Sequence, residues 1–72
     1  MEINITIIDD HDNVSVDIHH LDVIPKIGKC LSVTEEDFSM NGVVTKVEHV
    51  IGKYHDYNDK TVICHDIIIH IW

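Results

Sequence analysis

TVICHDIIIHIW, residues 61–72, decides the fold. At the two-residue period of a strand, Ile63, His65, Ile67, Ile69 and Ile71 fall on one face, and Val62, Cys64, Asp66, Ile68, His70 and Trp72 on the other. Both faces are partly apolar. Such a strand is covered on both sides or belongs to a sheet that curls on itself, so the segment predicts a small, strongly bent antiparallel sheet or a barrel.

The rest of the chain has the same character. Thirteen Ile, nine Val and four Thr make 26 of the 72 residues β-branched, a composition suited to pleated sheets. Ala, Arg and Gln are absent and Leu occurs only at Leu21 and Leu31, so the residues that fill helices are nearly missing. A helix bundle is excluded. Seventy-two residues make a single all-β domain, 1–72, with no room for an enclosed cofactor cleft.

Upstream, Ile3, Ile5 and Ile7 alternate with Glu2, Asn4 and Thr6, and Val14, Val16 and Ile18 alternate with Ser15, Asp17 and His19. With the polar turn from Asp9 to Asn13 between them, these predict a hairpin. His20 to Asp22 is a connector, and Pro25 confines the stretch from Val23 to Val33 to a sheet edge or a strand start. Thr34 to Asp37 is an acidic turn, or a single helical turn capped by Thr34. Asn41-Gly42 predicts a second hairpin, because both central positions of a type I′ turn need positive φ. Its return strand runs from Val43 to about Ile51, a loop follows from Gly52 to Lys60, and five or six strands fill the chain.

Thirteen acidic residues against five Lys give a net charge of −8. With no Arg to fork onto phosphate or guanine, direct nucleic-acid binding is not expected. An acidic small fold suits a protein partner with a basic nucleic-acid-binding surface, although solubility alone accounts for the same charge. No apolar run approaches the ~18 residues of a membrane span and the start has no basic leader region. The expected location is the cytoplasm of a bacterial host cell, since the Ile-, Asn- and Lys-rich, Ala- and Arg-free usage matches AT-rich coding sequence in low-GC bacteria and their phages.

Seven His and two Cys raise structural zinc as a candidate. No Cys-x-x-Cys or His-Glu-x-x-His motif occurs, so a site has to be assembled across strands. A hairpin closed by residues 52–60 brings His49 beside Cys64, His65 and Asp66, and Cys30 can approach from another wall. The candidate set is Cys30, His49 and Cys64 with His65 or Asp66 as fourth ligand; parity turns either Cys64 or His65 away unless a bulge intervenes. The alternatives are two buried reduced cysteines packing as small hydrophobes or a Cys30–Cys64 disulfide. His19-His20, the Asp9, Asp10 and Asp12 group, and Asp56-x-Asn58-Asp59 read as polar surface and solvated turns, since none has complete metal-loop spacing.

Catalysis finds little support: Ser15, Ser32 and Ser39 lack a nucleophile-elbow setting and no Gly-rich phosphate loop occurs. The chain is expected not to be an enzyme. Candidate partner-binding residues are the acidic turn Glu35, Glu36 and Asp37 and the loop residues Tyr54, Asp56 and Tyr57, with Trp72 as a further aromatic. A second copy could add to the final strand across an open edge.

Ile24-Pro25-Lys26-Ile27-Gly28, Phe38 and Val44-x-x-Val47-Glu48-His49, followed by a closing apolar strand, resemble the layout of small SH3-like barrels from phages and mobile elements. The resemblance covers Val23 onward; the N-terminal hairpin and the absence of Arg depart from it. It implies a partner-binding accessory protein. In size, acidity and candidate zinc ligands the chain is similar to the zinc-containing anti-CRISPR proteins, a resemblance of general character that implies binding to Cas9 and interference with target DNA loading. The alternatives are a metal-stabilised structural or assembly protein of a phage or mobile element, and a metal-sensing module.

Overall fold

The computed structural model describes residues 2–72. Five strands, β1 (Glu2–Asp9), β2 (Val14–Ile18), β3 (Cys30–Thr34), β4 (Ser39–His55) and β5 (Thr61–Ile71), form one sheet in the order β2-β1-β5-β4-β3. The all-β reading is correct, and the sheet curls into a half-barrel whose edges β2 and β3 stay apart. The sheet is mixed: β1 runs parallel to β5, and the other three pairings are antiparallel. The adjacent apolar runs Ile7-Ile8 and Ile67-Ile68-Ile69 suit this arrangement, because a parallel pair in a sheet centre is apolar on both faces.

The core lies on the concave face. Ile5, Ile7, Met40, Val44, Ile67, Ile69 and Ile71 are buried there, and Val16, Ile18, Leu21, Leu31, Val33, Phe38 and Val47 pack around them. With only one sheet, curvature takes the place of a second layer. The β4–β5 ribbon projects beyond this core, and the molecule measures 41 × 26 × 23 Å with a radius of gyration of 14.1 Å. A compact domain of this length has a radius of about 11 Å.

The hairpin expected at Asn41-Gly42 is corrected by the structure. The chain reverses at residues 35–38, where the Glu35 N–H donates to the Phe38 carbonyl at 2.8 Å, and Asn41 and Gly42 lie inside β4 opposite Ser32 and Leu31. The glycine serves close approach instead of a turn. A Cβ on Gly42 would sit 2.8 Å from the Trp72 carbonyl oxygen, beside the reciprocal backbone bonds of Val43 and Trp72 at 3.1 and 3.0 Å. Likewise β4 continues through Gly52 to His55, so the expected loop shrinks to residues 56–60.

A single bulge sets the faces of β4. The register with β5 shifts between Val44 and Lys46, leaving Thr45 as the extra residue. Before it Met40 and Val44 point into the core; beyond it Val47 does. The odd-numbered residues from Val47 onward therefore share the concave face with Ile67 and Ile69, and the even-numbered ones face outward.

Candidate functional site

On the concave face beyond the core, His49 pairs opposite Ile67 and Ile51 opposite His65. The two histidines are thus diagonal neighbours, with His49 Nδ1 and His65 Nε2 2.9 Å apart. Their rings are tilted at 38° with centroids 5.1 Å apart. Ile3 pairs with His65 across β1, and Ile3, Ile51 and Ile63 around the pair are all exposed.

The four-residue set Cys30, His49, Cys64 and His65 is not gathered. Cys30 pairs with Val43 and Cys64 with Gly52, positions nine residues apart on β4, or roughly 30 Å of strand. Cys64 and Asp66 occupy the outward face, which is the parity conflict apparent in the sequence. Neither cysteine is in a disulfide. Among the described residues no group of three or more His, Cys, Asp or Glu side chains is placed to hold a metal ion.

The outward face carries a polar cluster that sequence reasoning missed. His70 Nε2 lies 2.6 Å from Glu48 Oε1 and His70 Nδ1 3.1 Å from Asp10 Oδ2, while Lys46 Nζ is 3.6 Å from the same Glu48 oxygen. The His70 hydrogen bond, aided by the charges of Lys46 and His70, holds the Glu48 carboxyl below the usual glutamate range against a smaller opposing effect of desolvation. Its only sequence signal was the even parity of Glu48 and His70, legible once the bulge is known. Asp9, read as part of a solvated turn, is buried, and its Oδ1 accepts the N–H groups of His11 and Asp12 at 3.0 and 3.2 Å.

The candidate partner-binding residues divide between two places. Glu35, Glu36 and Asp37 occupy the β3–β4 reversal, and Tyr54, Asp56 and Tyr57 the β4–β5 end, with the 17 residues of β4 between them. Asp56 holds the turn together. Its Oδ1 accepts the N–H groups of Asn58 and Lys60 at 2.9 and 3.0 Å, and Asp59 takes φ 61° within the closed loop. Tyr57 is 98% exposed at the tip. His19 lines a recess of about 440 Å³ with Asp17 and Asp66, whose carboxylates already accept bonds from Thr6 and Asn4.

One edge of β4 is open. β3 pairs only with Ser39 to Val43, and Val44 bonds to Gly28 and Lys29. From Lys46 to His55 the side of β4 away from β5 therefore has no strand beside it among the described residues. Such an edge is a template for an added strand. No helix among the described residues is long and apolar enough to cross a membrane. No protein-family model, no curated protein and no solved structure matches this chain.

Proposed function

We propose that this protein is a non-enzymatic binding protein that takes an extended, basic segment of a partner protein onto the open edge of β4. The open edge from Lys46 to His55 carries the reading. A net charge of −8 favours a basic partner, and the same charge disfavours the pairing of one copy with another. The partner class is a protein with a basic nucleic-acid-binding surface, and a CRISPR effector such as Cas9 in a bacterial host is the first candidate. There the acidic chain would compete with target DNA, acting as an anti-CRISPR inhibitor encoded by a phage or mobile element.

The test is co-migration with guide-loaded Cas9 at low salt, together with suppression of DNA binding. Val43 and Trp72 exchange both backbone bonds, so alternation past the bulge turns the N–H of Ile51 to the open edge. Ile51→Pro is expected to abolish binding with the β4–β5 pairing intact, and neutralising Glu35, Glu36 and Asp37 to weaken it. A protein that leaves DNA loading unchanged and binds no basic partner refutes the proposal.

A further inference from the structure

We propose that Gly52 marks a selective subsite at the open edge of β4, a notch that receives one large apolar side chain, aromatic by preference, from the extended basic segment paired there. The inference rests on the strand-addition reading above and names what that edge selects. The chain has three glycines, and the fold accounts for two of them. Gly28 takes φ 92°, and Gly42 is pressed against the Trp72 backbone. Gly52 has neither role: its φ is not positive, and a Cβ there would meet nothing within 4 Å. A glycine inside a strand loses more backbone entropy than other residues and has no side chain to pack, so in the isolated chain it only weakens β4. Such a glycine marks a place where a ligand or another backbone comes close.

The neighbours give the notch its shape. Past the bulge the even-numbered residues of β4 face outward, so Val50, Gly52 and Tyr54 form one row along the edge. Val50 and Tyr54 are each 47% exposed and stand on either side of the glycine, with half-buried Cys64 paired behind it on β5. An added strand places one residue directly opposite Gly52, its side chain on the same outward face and Val50 and Tyr54 as diagonal neighbours. A ring in that position covers the bare backbone of the glycine, a pairing known to stabilise sheets at edge glycines. Glu48 is the next residue of the row beyond Val50. A Lys or Arg two positions from the ring therefore lies diagonal to a carboxylate, which matches the basic character of the segment.

Seven-residue peptides Thr-Lys-Thr-X-Thr-Lys-Thr, with X as Trp, Leu or Ala, test the assignment by amide-shift titration of the full chain at low salt. The Trp peptide is expected to bind at least about tenfold more tightly than the Ala peptide, with Leu between them, and to shift signals centred on residues 50–54. Gly52→Thr fills the notch with a good strand former. It should leave the melting temperature unchanged or raised and cut the preference for Trp over Ala at least about threefold. Equal affinity for the Trp and Ala peptides, or a preference that Gly52→Thr leaves unchanged, overturns the notch, and loss of binding in Ile51→Pro then shows that the edge itself still binds. Binding of none of the peptides, or binding that survives Ile51→Pro, removes the edge reading and the notch with it.

Discussion

Glu48 and His70 meet at 2.6 Å on the outer face of the sheet because one residue, Thr45, bulges out of β4 between the core and the ribbon. Were Thr45 to pair with β5 as an ordinary ladder residue, the alternation set by Met40 and Val44 would carry on. Glu48 would then point at the core and Val47 at solvent.

Deleting Thr45 should therefore be tolerated, because Val44, Lys46 and Val47 then alternate regularly and Glu48 keeps its outward place beside His70. Inserting a residue between Lys46 and Val47 instead forces Glu48 inward without His70, and an uncompensated buried charge costs about 3–5 kcal/mol, a large part of the stability of a small domain. Urea denaturation should show loss of a cooperative transition for the insertion and a retained one for the deletion. An insertion variant within about 1 kcal/mol of the parent would mean that β4 re-registers.

The Glu48–His70 contact also predicts an acid-side dependence. The Glu48 carboxyl is held below the ordinary glutamate value of 4.5, first by the His70 hydrogen bond. A depressed carboxylate stabilises the fold fully above its unfolded value, and that contribution disappears as pH falls through the lower folded value. Carboxyl carbon NMR should place the Glu48 midpoint below 4.5, and His70→Ala should move it upward. An unmoved midpoint would assign the shift to Lys46.

Gly42 and Gly52 lie in the same strand and should respond oppositely to alanine. A Cβ at Gly42 meets the Trp72 backbone at 2.8 Å, whereas one at Gly52 meets nothing within 4 Å, and neither glycine has positive φ. Gly42→Ala should cost about 1–3 kcal/mol by overpacking, with faster amide exchange at Val43 and Trp72. Gly52→Ala should stay within about 0.5 kcal/mol of the parent in a thermal or urea melt. Equal effects at both positions would show that the approach of Trp72 is not tight in solution.

Ile7 and Ile51 mark the limits of the core. Ile7 is 0% exposed and Ile51 69% exposed, although both sit on the concave face. Ile7→Ala should cost about 2–5 kcal/mol and Ile51→Ala less than about 0.5 kcal/mol. Chemical denaturation separates the two, and a large loss at Ile51 would place the ribbon inside the cooperative core.

The alternation in residues 2–8 and 14–18 was enough to place β1 and β2, and residues 61–72 placed β5 and the bend. Register was not readable in the same way. Asn41-Gly42 is a sound turn signal in isolation, but the glycine is required by the Trp72 backbone, a contact that depends on residues thirty positions away. The bulge at Thr45 has no local signature, and it decides which side chains of Glu48, His49 and Ile51 share a face. Hence the sequence could bring His49 toward His65 across the β4–β5 hairpin but could not separate Cys30 from Cys64, whose distance follows from the order of strands.

That strand order has a consequence for timing. Every residue pair between β1 and β5 spans 62 positions, and β5, the sheet's central strand, is the last of the five to be synthesised. A nascent chain holds the two flanking hairpins with nothing to join them, so the sheet assembles in one late step after translation has passed β5. Contacts this distant make folding slow, on the scale of milliseconds to seconds, and during that wait the edges of both hairpins stand open to capture by chaperones or by other chains.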